Sequence, residues 1–275
     1  MKLHLKLLIG ILIALILING IYVIYDIRRE IKINKEFTEK QLKINDQIIK
    51  EIFTQLIETN IKKLLDSNVF VIGLFGEGAG TVIKKTENNM YILTCAHVIE
   101  EIYKLNKNGF KLGASIGYSK TDEKDLIAGL IVYGAEIIKY DEENDLALLK
   151  TSIIDKDLIA VNLANEEPQK GDVVYSIGSP LGLYRTISKG IISNKLEGFY
   201  FSDNTTTYGN SGGGLYNTKG ELIGVPSNVM GYEVAKKIGY ERYLQNEENK
   251  FVPETSLGLS ISLFRIKAFL EGVEF

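Results

Sequence analysis

Gly209-Asn210-Ser211-Gly212-Gly213-Gly214-Leu215 sets one serine among glycines and then runs into an apolar residue. Glycines there allow backbone dihedrals that a side chain forbids, so amide N–H groups can turn toward a single point. Two upstream strings give this turn its weight. Thr94-Cys95-Ala96-His97-Val98-Ile99 offers a histidine, and Asn144-Asp145-Leu146-Ala147-Leu148-Leu149 an aspartate, so the chain presents His97, Asp145 and Ser211 in that order. A serine hydroxyl needs a neighbouring base, and imidazole takes and returns a proton near neutral pH. A buried carboxylate on the other ring nitrogen fixes the tautomer and stabilises the imidazolium. Asp145 suits that role because an apolar run follows it directly. Gly209 N–H and Ser211 N–H are the candidate oxyanion-hole donors.

Each string has a plainer reading. A lone histidine after the strand-like Met90-Tyr91-Ile92-Leu93-Thr94 is more often structural, a glycine-serine string is usually a turn, and an aspartate before an apolar run is usually a loop end. Their joint occurrence in order, with apolar or glycine neighbours of the right kind, favours the catalytic reading.

Further strings carry a resemblance. Gly80-Thr81-Val82-Ile83, Ser176-Ile177-Gly178-Ser179-Pro180-Leu181-Gly182, Gly190-Ile191-Ile192-Ser193, Gly220-Glu221-Leu222-Ile223-Gly224-Val225 and Leu259-Ser260-Ile261-Ser262-Leu263 stand in the order of the corresponding family motifs. From about Asn68 to Phe275 the chain resembles the trypsin-like (chymotrypsin-fold) serine protease domain of the HtrA/Deg type. The resemblance implies an all-β body of two six-stranded antiparallel β-barrels with a short C-terminal helix, Phe264 to Leu270. The alternating apolar strings and Gly, Asn and Asp clusters agree with it. The first barrel is expected over about Val69 to Ile154, the second over Leu158 to Leu263, with the triad in the cleft between them. Residues 106–113 and 119–125 read as surface loops.

Specificity follows only in part. The position six residues before Ser211, where trypsins keep an acid, is Thr205, and Thr206, Thr207 and Tyr208 follow it. Cleavage after Lys or Arg is therefore disfavoured. Thr205, Thr207 and Tyr208 are the expected lining of one side of the substrate pocket. By resemblance Ser227, Asn228 and Val229 line the opposite wall, with Ser227 also placed to support Asp145. A small or medium apolar side chain is expected before the scissile bond. The family usually has proline where Gly214 and Tyr208 stand and asparagine where Pro226 stands. Pro226 cannot donate a backbone hydrogen bond and lies near the strand that would pair with substrate. Asn210 stands where zymogen-type trypsins keep the aspartate that binds a new N-terminus, so activation by that route is not expected. Typical members carry a PDZ domain after the protease, whereas this chain stops five residues after Leu270. Regulation is expected to come from a partner, the segment before the protease, or the loops around Ser211.

The chain has 275 residues, a net charge of −3, 26 glycines, four prolines, two histidines and one cysteine. The charge gives no reason to expect nucleic acid as a partner. With Cys95 alone, no intramolecular disulfide forms, and the domain rests on its core. Cys95 reads as a packed thiol rather than a nucleophile. The histidines and cysteine show no metal-ligand spacing and no glycine string has a nucleotide-loop context, so neither metal nor cofactor is expected.

Three segments follow: an N-terminal transmembrane signal anchor over 1–25, a helical stalk or coiled coil over 26–67, and the protease domain over 68–275. Leu7 to Tyr25 is nineteen residues without charge, long enough to span a bilayer, and no small-residue cleavage site follows it. A buried core helix is the alternative. Lys2 and Lys6 precede the run and Arg28, Arg29, Lys32 and Lys35 follow it, so positive charge does not favour an exported C-terminus. The resemblance does, and places the protease domain outside the cytoplasm. Residues 26–67 hold no glycine or proline, and Ile31, Phe37, Leu42, Ile49, Ile52, Leu56 and Leu64 recur at helical spacings. A single amphipathic helix and an oligomerising stalk both fit, and related proteases form trimers.

The reading is a membrane-anchored serine endopeptidase acting on protein or peptide substrates through an acyl-enzyme, in protein quality control or regulated proteolysis. The alternative is a catalytically silent or conditionally active module that holds peptides in the same cleft by strand addition.

Overall fold

The computed structural model describes residues 2–119, 130–196, 198–227 and 257–275, without the side chains of 2–18, 21, 52–59, 119 and 130. Helix α1 runs Lys2–Asp66. The chain divides into two compact units, Met1–Ile57 and Glu58–Phe275. In the first, α1 passes without a break through the expected anchor–stalk boundary, as the absence of proline allows. Its side chains from Tyr22 to Glu51 are exposed, including Ile31, Phe37 and Ile48. The expected anchor, Leu7 to Tyr25, is helical in backbone, but most of its side chains lie outside the described residues. Among the described residues no helix is long and apolar enough to cross a membrane.

The second unit carries twelve strands in two closed antiparallel barrels. The first is built from β1 (Asn68–Ile72), β2 (Glu77–Lys85), β3 (Met90–Thr94), β4 (Ala114–Ser119), β5 (Leu130–Asp141) and β6 (Leu146–Thr151), in the order β1-β2-β3-β6-β5-β4. The second comprises β7 (Val173–Gly178), β8 (Thr186–Leu196), β9 (Phe199–Ser202), β10 (Gly214–Asn217), β11 (Leu222–Pro226) and β12 (Gly258–Ser262), in the order β10-β11-β12-β9-β8-β7. Closure removes the unpaired edges that an open sheet would expose. The apolar runs read from the sequence fill the interiors, with Ile92, Leu148, Leu149, Ile177 and Val225 fully buried. Helix α3 (Leu263–Leu270) closes the second barrel, its N-terminus capped by Ser262 Oγ accepting from Arg265 N–H, and buries Leu263, Ile266 and Phe269.

Helix α2 (Glu100–Lys107) was not expected. Its signals are local: Glu100 and Glu101 in the first turn, Lys104 and Lys107 in the last, and a Glu100–Lys104 pair at 2.6 Å. It replaces the first two residues of the loop anticipated over 106–113. Of the loop anticipated over 119–125, residues 120–125 lie outside the described residues.

Register places the functional strings. Thr94 pairs with Ala147 across β3 and β6, so residues just past β3 and just before β6 meet at one end of the first barrel. Gly214 opens β10 and Pro226 closes β11, which brings Ser211 and Ser227 to one end of the second. Polar bonds fasten the seam between barrels. Ala79 N–H donates to Ser211 O at 2.8 Å, and Asn68 Nδ2 donates to Ile177 O at 3.4 Å. The buried Tyr216 hydroxyl meets Ser67 Oγ at 3.1 Å and Thr81 Oγ1 at 3.3 Å. Burial pushes the Tyr216 phenol up, so it stays a neutral hydrogen-bonding group.

Tyr216→Phe leaves two buried hydroxyls short of a partner. It is expected to lower unfolding free energy by about 1–2 kcal/mol, read as a lower urea midpoint at an unchanged slope.

Candidate active site

His97 lies in a short helical turn, Ala96–Val98, directly after β3. Asp145 is the residue before β6 and holds a left-handed backbone, φ 53°. Its neighbours impose that conformation. Its N–H donates to Glu142 O at 3.3 Å and its carbonyl accepts from Ala96 N–H at 3.2 Å. Asn144 braces the turn from within, its N–H and Nδ2 donating to Asp141 Oδ1 at 3.0 Å and Oδ2 at 2.7 Å.

The Asp145 carboxylate takes donors from three directions. His97 N–H reaches Oδ1 at 2.9 Å, His97 Nδ1 lies 2.9 Å from both oxygens, and Ser227 Oγ donates to Oδ2 at 2.7 Å. A carboxylate only accepts, so the proton in the ring contact sits on Nδ1, and in the neutral imidazole Nε2 is then the acceptor. Both side chains are 19% exposed, which shields the pair yet leaves the ring a path to a ligand. Ser227 itself is fully buried beneath Asp145.

Ser211 belongs to the turn entering β10 and is 4% exposed. Gly209 has φ +94°, and a Cβ there would stand 2.1 Å from Ser179 O, so no other residue fits without moving that carbonyl. Gly212 has φ +86°, its N–H donates to Pro226 O at 2.9 Å, and a Cβ would collide with Ala79 O and Thr94 Oγ1. Asn210 N–H and Gly213 N–H close the turn on Thr207 O at 3.1 Å and Asn210 O at 3.0 Å. Gly209 N–H takes no partner among the described residues, while its carbonyl accepts from Ser179 N–H at 3.1 Å.

Of the expected pocket lining, Thr205 and Tyr208 are exposed and Thr207 is half-buried. Their carbonyls serve the turn: Thr205 O accepts from Asn210 Nδ2 at 3.4 Å, and Tyr208 O from Leu181 N–H at 2.9 Å. Asn228 and Val229 lie outside the described residues. Pro226, singled out for its missing donor, contributes its carbonyl instead, accepting from Gly212 N–H and from Cys95 Sγ at 3.3 Å.

Cys95 Sγ, a ring nitrogen of His97 and a carboxylate oxygen of Asp145 lie within 4.8 Å of one another, a proximity that sequence spacing did not reveal. The thiol donates to Pro226 O, and the ring and carboxylate hold each other. Burial, then the negative charge of Asp145, pushes the thiol well above its ordinary range. It is a protonated packing group.

Three contributors were missed by sequence reasoning. Thr94 Oγ1 donates to Ala79 O at 2.7 Å beside Gly212. Arg265, on α3, donates to Asn144 Oδ1 at 2.7 Å and lies over the Phe199 ring at 4.6 Å, tying the Asp145 turn to the second barrel. Asn144 completes that tie. Asn144 is adjacent to Asp145 in sequence, but nothing local marks Arg265 as its partner.

The model of the trypsin-like peptidase domain matches residues 78–225, more than half of the chain, and covers both strings of the His97–Asp145 pair and the Ser211 turn. The chain belongs to the trypsin-like peptidase family. A probable periplasmic serine endoprotease, DegP-like, from Buchnera aphidicola subsp. Baizongia pistaciae is 31% identical over 166 residues, covering 56% of this chain and 30% of that protein. The periplasmic pH-dependent serine endoprotease DegQ of Escherichia coli is 31% identical over 165 residues, covering 56% and 32%. These relatives bear out the HtrA/Deg likeness. The matches span about a third of the relatives' own length. The crystal structure of the serine endoprotease from Yersinia pestis superposes with a TM-score of 0.55 at 24% identity, covering 78% of this chain and 65% of that one, a likeness of fold.

The buried Cys95 thiol yields a direct check. An aromatic disulfide reagent at mildly alkaline pH is expected to leave the folded protein unmodified and to titrate one thiol per chain after unfolding in guanidinium.

Proposed function

We propose that this protein is a serine endopeptidase in which Ser211 is the nucleophile, His97 the general base and acid, and Asp145 the orienting carboxylate. The His97–Asp145–Ser227 hydrogen-bond set carries this reading, because it leaves Nε2 as the unprotonated nitrogen on the ring of a family peptidase. In acylation, Nε2 takes the Ser211 Oγ proton as Oγ attacks the peptide carbonyl carbon. The carbonyl oxygen becomes an oxyanion facing Gly209 N–H and Ser211 N–H. The C–N bond then breaks and Nε2 returns the proton to the leaving amine. A water repeats the sequence to release the acid and restore Ser211.

Further parts rest on the sequence. Leu7 to Tyr25 supports a single-pass anchor, and the periplasmic names of the relatives support a protease domain outside the cytoplasm, acting on unfolded or membrane-proximal proteins. Segments 1–25, 26–67 and 68–275 are the proposed anchor, stalk and protease domain. The exposed Ile31, Phe37 and Ile48 support self-association of the stalk into an oligomer such as a trimer. Thr205, Thr207 and Tyr208, with Asn228 and Val229 opposite, are the proposed specificity residues.

Fluorophosphonate labelling of the full-length protein tests the mechanism. Labelling of the wild type is expected to fall by about a thousandfold or more in both Ser211→Ala and His97→Ala, and by about tenfold in Ser227→Ala, where Asp145 loses one of its donors. A folded, unlabelled wild type would instead favour the peptide-holding module. Digestion of a peptide library is expected to show cuts after Val, Ala or Leu. Cuts concentrated after Arg would refute the assignment of Thr205 to the pocket.

A further inference from the structure

The loop joining β7 to β8 concentrates features that a relaxed loop avoids. Three non-glycine residues among those described adopt positive φ, and two of them are here, Leu181 at 52° and Arg185 at 55°. Four buried side-chain polar atoms lack a hydrogen-bond partner among the described residues, and two of them are also here, Ser179 Oγ and Arg185 Nε. Backbone in the left-handed region and unsatisfied buried groups persist only where surrounding contacts impose them. Two sets of contacts do so.

One set faces the Ser211 turn. Ser179 N–H donates to Gly209 O at 3.1 Å and Leu181 N–H to Tyr208 O at 2.9 Å, while Ser179 O packs against the Cα of Gly209. The loop thus holds the carbonyl of the peptide bond whose nitrogen is Gly209 N–H and the carbonyl of the next one. The other set faces the last turn of α1. Arg185 Nη1 lies 3.3 Å from Asp66 Oδ1, and Tyr184 Oη donates to Asn68 O at 3.0 Å. Arg185 and Asp66 side chains are 13% and 22% exposed, the most shielded ion pair among the described residues apart from His97–Asp145. A shielded pair is costly to leave half-made, because the remaining charge stays out of water.

We propose that Asp66 and Arg185 are positioning residues for the oxyanion turn: the end of helix α1 holds the 179–185 loop in the strained form that aims Gly209 N–H. This rests on the assignment of Gly209 N–H as an oxyanion donor. Without Asp66, the guanidinium moves out toward water, Arg185 and Leu181 leave the left-handed region, and the bonds to Gly209 O and Tyr208 O loosen. The His97–Asp145 pair, on the other barrel, is untouched. The loss therefore falls on the transition state and spares ground-state binding.

The test uses the full-length protein and a peptide p-nitrophenyl ester with valine before the scissile bond. Asp66→Asn and Arg185→Gln are each expected to lower kcat about tenfold with KM within about twofold, and the double variant to be no worse than either single. Leu181→Gly occupies φ > 0 without strain, so adding it to Asp66→Asn is expected to recover most of the lost kcat. Arg185→Lys keeps the charge and stem and carries the same test if a harsher variant fails to fold, with kcat lowered about threefold at unchanged KM. Unchanged kcat in the folded variants, additive losses, or no recovery with Leu181→Gly overturns the proposal. A wild type that neither turns over the ester nor labels at Ser211 refutes the peptidase reading itself, a separate failure.

Discussion

The Asp145 carboxylate is the point on which the two barrels agree. His97 and Asp145 come from adjacent strand ends of the first barrel, whereas Ser227 reaches the same carboxylate from the second. An acceptor whose three donors come from His97 and Ser227 holds its position only if both of those segments hold theirs. Asp145 sits in a left-handed conformation that would relax if its turn were unbraced, so Asn144, Asp141 and Arg265 form part of the same constraint.

The same logic extends along the seam. Gly212 fits beneath Ala79 O and Thr94 because it has no side chain, and its N–H is spent on Pro226 O. The Pro226 carbonyl also takes the Cys95 thiol, so a residue that departs from the family pattern still couples the histidine-bearing strand to the serine-bearing barrel. Proline removes a donor from a strand but leaves its acceptor intact, and here the acceptor is the part the seam uses. The glycine turn is held from the opposite side by the 179–185 loop, which is itself fastened to the end of α1.

Much of this was legible in the chain. The strand-rich body was legible in short apolar runs punctuated by glycine and asparagine, its closure into two barrels in the family resemblance, and the candidate triad in three strings whose residue types have one chemistry in common. Ser227 was legible only through family resemblance, since a serine after a proline has no local signature. Helix α2 carries ordinary helix signals in its end charges, but its eight residues follow a candidate catalytic string directly and run into a loop-like segment, which masks them. Arg265, Thr94 and Arg185 could not be read at all. Each acts on a backbone or side-chain atom far along the chain, and periodicity reports which face of an element is buried without reporting what it meets.

By itself the sequence determined the strand-rich body, the helical character of the segment before it, and which side chains have the chemistry to attack, shuttle a proton and orient a base. Those follow from local rules: alternation, the absence of helix breakers, and the intrinsic reactivity of serine, histidine and aspartate. Only the tertiary structure decided that Nδ1 of His97 faces both oxygens of Asp145, that Ser227 lies beneath them, and that the loop behind Gly209 is strained and bound to Asp66. These depend on closure of two barrels, which fixes distances between residues that no local rule relates.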